Sequence, residues 1–223
     1  MTRMEILDPK EARKHDTPPS FNSAERKRLL TNPEAVRNYA DTLKTPTRKV
    51  CFLLAASYFR ATRRFFSPSQ YDEKDIRYLC GQLQVKMQEV KVSSYDRQAF
   101  SLHKKVLLDL FGCDAFDEKA EELLVEELTP LVLSHVKPKV MFEAMVESLR
   151  RRHIEVPSYH ALSSIIINEL QKHRKSLAAT IAENLSEEDR QYLDKLMEKV
   201  VDEESGIKQQ FFCKLGLQVI FST

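Results

Sequence analysis

The chain has 223 residues, of which 42% are hydrophobic and 30% charged, and its formal net charge is +2. This composition excludes a disordered chain, and the length suffices for a hydrophobic core without metal or disulfide support. Only 4 residues are glycine. A Rossmann domain, a phosphate-binding loop and a β-sandwich are therefore disfavoured, because each needs glycine-rich turns. The composition predicts an all-α protein.

The charges are unevenly distributed along the chain. No acidic residue occurs from Thr42 to Tyr71, where there are six basic residues, whereas the segment from Asp114 to Glu127 carries seven acids and one lysine. This segregation predicts one basic and one acidic side of the molecule. Charge alone is equally compatible with solvated helix faces of alternating sign.

The cysteines and histidines are scattered, without the CxxC or HExxH spacing of a zinc site. The N-terminus lacks the apolar segment of a signal peptide. The longest apolar run, Val50–Phe59, is much shorter than the roughly 20 residues of a membrane span. We therefore expect reduced thiols, no metal, no cofactor and a cytoplasmic location.

In chain order, residues 1–20 are polar and end in a Thr-Pro-Pro-Ser sequence, which predicts an extended lead-in. The next segments carry helix-capping residues, and proline follows two of them at the first helical position. These predicted helix starts are at Ser23, Asn32, Thr45, Asp72 and Ser186. The segment Thr45–Phe66 is apolar on two faces, so we expect it to be a central helix packed from both sides.

The segment Gln84–Ser94 has weak periodicity, which is compatible with a short strand or a linker. Further helices are predicted over Tyr95–Phe111 with Gly112 as its C-terminal cap, Phe116–Leu133 with an interruption near Pro130, Pro138–Arg152, Ser158–Lys175 or beyond, and Ser186–Asp202. This organisation predicts a lead-in (1–20), two small helical subdomains (21–90 and 94–203) and a divergent apolar tail (204–223).

The helices before and after the turn His153–Pro157 have the layout of a helix-turn-helix. In this interpretation the arginines that end the first helix contact phosphates, and the exposed face of the second helix contacts base edges. The candidate residues are Arg150, Arg151, Arg152, Ser158, His160, Ser163, Ser164, Gln171 and Arg174. A simple packing hairpin with a solvated face is the more common explanation of such a pattern.

Two further basic sites precede this pair. In the first subdomain the candidate phosphate contacts are Arg48, Lys49, Arg60, Arg63 and Arg64, and at the start of the second they are Arg97, Lys104 and Lys105. Three basic sites separated by acidic helices favour a protein that lies along a DNA duplex. No nucleophile with a neighbouring base and no metal-binding pattern is present, so we expect no enzyme activity.

Several segments resemble the N-terminal region of the large replicative transposases of the Tn-three class. The resemblance extends from about Pro18 to Lys199, and its most specific pieces are TPTRKVCFLLAASYFRATRRFF and IEVPSYHAL. It implies a helical region that binds double-stranded DNA at the terminal inverted repeats of a transposon and so takes part in DNA transposition and recombination. Such a protein would be associated with the nucleoid of a bacterial cell when bound to DNA.

In that family a later RNase H-like domain with three metal-binding carboxylates performs catalysis, and this chain is too short to include it. The resemblance therefore implies no catalytic residues, and after Glu204 it fades into an unrelated apolar tail. We expect a truncated or frameshifted remnant, with a short protein retained for another role as the alternative. Such a protein could dock on full-length transposase and inhibit it, or self-associate.

Overall fold

The computed structural model describes residues 4–193, which form α-helices and short 3-10 turns with no β-strand among them. The all-α prediction is therefore confirmed. The helices are α1 (Pro9–Asp16), α2 (Ser23–Leu29), α3 (Glu34–Thr42), α4 (Pro46–Thr62), α5 (Glu73–Leu83), α6 (Arg97–Phe111), α7 (Glu118–Leu133), α8 (Pro138–Arg151) and α9 (Tyr159–Asn184). The predicted tail (204–223) and the end of the second predicted subdomain lie outside the described residues.

The chain divides into two compact units, Met1–Gln171 and Lys172–Thr223. The first unit contains α1 to α8 and the first half of α9. Of the second unit, the structure describes the second half of α9 and the residues that follow it up to 193.

The first hydrophobic core is built around α4, as the two apolar faces of its sequence predict. Every residue from Val50 to Phe59 is buried, and α2, α3, α5 and α6 all pack against this helix. The helix begins as expected, because the Thr45 hydroxyl accepts a hydrogen bond from the Arg48 amide. It ends at Arg63, whose left-handed backbone (φ 60°) turns the chain away.

A buried carboxylate cross-links the helices of this core. Asp75 in α5 is fully buried, and it accepts hydrogen bonds from Arg26 Nε in α2 (2.6 Å) and from the Tyr58 hydroxyl in α4 (2.8 Å). Burial, with the neighbouring Asp75 carboxylate, raises the pKa of Tyr58 well above its usual value. The phenol therefore stays protonated and acts as a donor.

Three local predictions are wrong. Ser23 is not the cap of α2, because the preceding residue, Asn22, caps this helix. Asn32 does not cap α3, because its side chain is buried and donates instead to the Leu53 carbonyl and the Ser57 hydroxyl of α4. Pro130 does not interrupt α7, which continues to Leu133 with this proline inside it. One missing amide donor within the last turn of an exposed helix end is tolerated here.

The second core is formed by α7, α8 and the start of α9, together with the beginning of the chain. Residues 1–20 were expected to be extended, but they contain α1, whose N-terminus is capped by the side chain of Asp8. Ile6 and Leu7, just before it, are only 5% and 8% exposed. The lead-in is ordered because these two apolar side chains bury themselves in a core formed more than 100 residues later.

The segment Gln84–Ser94 forms two 3-10 turns, Met87–Glu89 and Val92–Ser94, rather than a strand. Helix α6, expected at the start of the second subdomain, packs on α4. Its buried residues Ala99 and Leu107 belong to the first core. The change from one core to the other therefore falls after α6, where Gly112 (φ 58°) ends the helix in the left-handed conformation predicted for it.

Candidate nucleic-acid interface

The turn between α8 and α9 is held by backbone hydrogen bonds to two distant segments. The Asp114 amide donates to the His153 carbonyl, and the Glu155 amide donates back to the Asp114 carbonyl, both at 2.9 Å. The Val156 amide donates to the Arg63 carbonyl at the end of α4, also at 2.9 Å. The turn is longer than the three or four residues usual in a helix-turn-helix, but these bonds fix its path.

The start of α9 is fixed by residues of α1. One carboxylate oxygen of Asp16 accepts hydrogen bonds from the Tyr159 amide (2.9 Å) and from Arg64 Nη2 (2.8 Å). The neighbouring His15 has its Nε2 atom 3.1 Å from the Pro157 carbonyl and its ring edge-on to Phe142. Burial, with the nearby charge of Arg64, lowers the pKa of His15 to about 4. The imidazole is therefore neutral at pH 7.

The arginines that end α8 differ in their surroundings. Arg150 and Arg151 are exposed. Arg152 forms an ion pair with Glu127 of α7 at 2.6 Å. Two cations at this corner are thus accessible to solvent, and the third, Arg152, is partly neutralised by Glu127 of the acidic helix beside it.

The face of α9 that was predicted to read bases is only partly accessible. His160 and Gln171 are exposed, and the exposed Ser158 accepts a hydrogen bond from the Ala161 amide. Ser164 is half-buried and donates to the His160 carbonyl. Ser163 is 5% exposed and donates to the same carbonyl.

A buried hydroxyl cannot reach a base edge, so Ser163 is removed from the interface. Arg174 is exposed and belongs to the second unit. The base-contact candidates that remain accessible in the first unit are therefore Ser158, His160, Ser164 and Gln171.

Contacts and chain connections link four basic residues at the two ends of α4 and on α6. Arg48 lies 3.6 Å from the carboxylate of Asp96, the residue that precedes Arg97. Arg97 and Lys104 line the same groove. Lys104 pairs with Glu155 at 2.7 Å. The amide of Val156, the residue after Glu155, donates to the Arg63 carbonyl. We refer to Arg48, Arg97, Lys104 and Arg63 as the basic strip.

Three other predicted phosphate contacts lie elsewhere. Lys49 is 3.6 Å from Asp41 at the end of α3, and Arg60 donates to the Thr31 carbonyl after α2. Lys105 is exposed on α6. Lys49 and Arg60 therefore contact the α2–α3 side of α4, whereas Arg63 Nη1 donates to Cys113 Sγ after α6.

Arg64 is an internal structural residue. It is 6% exposed, its guanidinium bonds to Asp16 and it lies 5.4 Å from the centre of the Phe66 ring. Burial lowers the pKa of Arg64. Arg64 is therefore also removed from the interface.

Asp16 and Glu155 organise these sites, and sequence reasoning did not select either of them. Asp16 pairs across 48 residues with Arg64, and Glu155 pairs across 51 residues with Lys104. The absence of acids from Thr42 to Tyr71 could have indicated such distant partners. A cation buried in that segment needs a counter-charge, which has to come from elsewhere in the chain.

Among residues 4–193, no group of three or more His, Cys, Asp or Glu residues is arranged to hold a metal ion. Cys51, Cys80 and Cys113 are free and buried. No described helix combines the length and apolar character needed to cross a bilayer.

Comparison with known proteins gives two matches. A transposase for transposon Tn3926 from Escherichia coli is 26% identical over 124 residues, which are 56% of this chain and 12% of the relative. The chain therefore spans a small part of the length of that protein. The model of a domain of unknown function, DUF4158, matches residues 6–168. Because this match covers most of the chain, the protein belongs to the DUF4158 family and is a transposase-related region.

Proposed function

We propose that this chain binds duplex DNA sequence-specifically at the terminal inverted repeats of a transposon. The observation that carries the proposal is the basic strip in a transposase-related region, because its contacts link cations at the two ends of α4 with cations of α6. Cations that neutralise backbone phosphates supply most of the non-specific affinity for a duplex.

The corner formed by α8 and α9 supplies the second half of the proposal. Arg150 and Arg151 contact phosphates, and the exposed His160 and Gln171 on α9 contact base edges, as in a helix-turn-helix. The bonds from the turn to Arg63 and Asp114 hold this corner against the segment that contains the strip.

The test compares two duplexes by fluorescence anisotropy across a salt series. One carries the terminal inverted repeat of the transposon that encodes the chain, and the other carries the same bases in scrambled order. We expect at least tenfold tighter binding to the repeat, equivalent to about 1.4 kcal/mol, and a steep loss of affinity with salt. Equal and weak binding to both duplexes overturns the proposal.

Two variants then separate phosphate contacts from base contacts. His160→Ala should reduce binding to the repeat while leaving the scrambled duplex unaffected. Arg151→Gln should weaken binding to both duplexes by the same factor and reduce the slope of log affinity against log salt by about one. The control is Leu102→Ala, because Leu102 is exposed on the face of α6 opposite to Arg97 and Lys104. It should change the affinity for neither duplex.

A further inference from the structure

An open groove of about 740 Å³ lies between the end of α4 and the outer face of α6. Its volume is in the range of about 300–1,000 Å³ that is common for small-molecule sites. The residues on which the argument depends are Phe65, Tyr71, Arg97, Phe100, Lys104 and Glu155. We call this the α4–α6 groove.

One face of α6 supplies a ring between two cations. Arg97, Phe100 and Lys104 are spaced i, i+3 and i+7, so they lie above one another on the helix. Phe100 is half-buried, with its ring edge-on to Tyr95 at 6.2 Å. An aromatic ring that remains partly exposed beside cations is the arrangement on which unstacked bases bind.

The charges of the groove match a single phosphodiester group. Lys104 pairs with the buried Glu155 and lies 5.5 Å from the centre of the Phe65 ring. Arg97 is exposed and forms no ion pair with the described residues. Two cations and one carboxylate leave one net positive charge, which suits one backbone phosphate better than a di- or triphosphate.

Hydrogen-bonding groups are present in the wall and floor. The Glu155 carboxylate can accept a hydrogen bond from the exocyclic amine of a base, as acidic side chains do with cytosine. The Tyr71 hydroxyl is buried in the wall with no hydrogen-bond partner among the described residues. A polar ligand atom that reached this hydroxyl would supply its missing hydrogen bond.

We propose that the α4–α6 groove accepts one unstacked nucleotide of the bound DNA, with its base on Phe100 and its phosphate at Arg97. This inference rests on the proposed function, because the groove lies within the basic strip that would follow the duplex. Extruding a base from a duplex costs stacking and pairing energy, and stacking on an aromatic side chain offsets part of this cost.

The experiment places 2-aminopurine, one position at a time, in the inverted-repeat duplex and records both fluorescence and anisotropy. Fluorescence of this base rises when it leaves the stack. We expect a rise of threefold or more at one position on binding the wild-type chain. A mismatch at that position should tighten binding several-fold, because the base is already unpaired.

Three variants test whether the groove is responsible. Phe100→Leu keeps an apolar side chain against the core but removes the ring, so the fluorescence rise should disappear while the anisotropy change remains. Arg97→Gln should reduce both signals. Leu102→Ala on the same helix should preserve both, because Leu102 is 56% exposed and points away from the groove.

The possible failures are distinguishable. Binding seen by anisotropy with no rise at any position overturns the groove proposal and leaves DNA binding intact. A rise that persists in Phe100→Leu places the extruded base elsewhere and also overturns it. Absence of duplex binding overturns the proposed function and, with it, the groove proposal.

Discussion

The first and second cores use basic side chains in different ways. In the first, Arg64 is buried against Asp16, Arg26 is held by Asp75, and Arg60 binds a backbone carbonyl. At the edge of the second, Arg150 and Arg151 are exposed. A run of basic residues in the sequence therefore contains both buried structural cations and exposed surface cations. Only the contacts that each cation makes in the folded chain distinguish the two kinds. Four experiments test this difference.

The largest effect is expected for the carboxylate that holds the first core. Asp75→Ala leaves Arg26 and the buried Tyr58 hydroxyl without their acceptor, and it should lower the free energy of unfolding by about 3–5 kcal/mol. Chemical denaturation measures this change. Glu73→Ala is the matched control, because its ion pair with Arg77 is 70% exposed on both sides and should contribute less than about 1 kcal/mol. Equal effects of the two variants would contradict the assignment.

The second effect concerns pH and the start of α9. The pKa of His15 is lowered from 6.5 to about 4, so between these values the unfolded chain binds a proton that the folded chain does not. The contribution of His15 to the free energy of unfolding is therefore fully present above pH 6.5, and it decreases as the pH falls toward 4. The slope should be below the one-proton limit of about 1.4 kcal/mol per pH unit, because the ring is partly solvated.

His15→Asn removes the titrating group while keeping a hydrogen-bond donor near the Pro157 carbonyl. Denaturation curves measured at several pH values should then lose part of their dependence in this window, and the buried His103, whose pKa is also lowered, accounts for a further part. The charged groups around the His15 ring are Arg64, Arg150 and Asp16. A variant that keeps the wild-type slope would show that another group is responsible.

Arg64 and Arg60 provide the third test, because both were candidate phosphate contacts. Arg64→Ala should cost about 1–2 kcal/mol of stability, less than a fully buried pair, since the side chain of Asp16 is 40% exposed. It should leave the salt dependence of DNA binding unchanged below the unfolding transition. Arg60→Ala should alter stability by less than about 1 kcal/mol. If Arg64→Ala made the slope of log affinity against log salt shallower, Arg64 would be a phosphate contact after all.

The smallest effect is expected at the exposed corner. The double variant Arg150→Gln, Arg151→Gln should fold normally and weaken DNA binding by roughly tenfold, or about 1.4 kcal/mol. Its log–log salt slope should decrease by about two. Lys27→Gln, Arg28→Gln on α2 removes two exposed charges outside the proposed interface and is the control. Equal losses from both pairs would mean that net charge, rather than position, controls affinity.

The sequence predicted most of the helices, because local rules determine them. Thr45 and Gly112 act as the caps their residue types indicate, and the double apolar face of α4 correctly indicated a central helix. Asn32 and Pro130 were misjudged, because tertiary contacts and helix ends override local preference at both positions. The accessibility of Arg64 and Ser163 could not be predicted, since it depends on Asp16 and on the depth of α9 in the second core.

The docking of the first residues onto the second core has a consequence for folding during synthesis. The Leu7 amide bonds to the Tyr159 hydroxyl, 152 residues later, and Ile6 and Leu7 are buried among side chains of α7, α8 and α9, which the ribosome produces more than 100 residues later. The first core can form early, because its helices are close together in the sequence. The second core can form only after α7, α8 and the start of α9 have been synthesised, because it also includes the first residues of the chain. Because contacts of such separation slow folding, the nascent chain should pass through a stage in which α4 is enclosed while Ile6 and Leu7 are still exposed to chaperones.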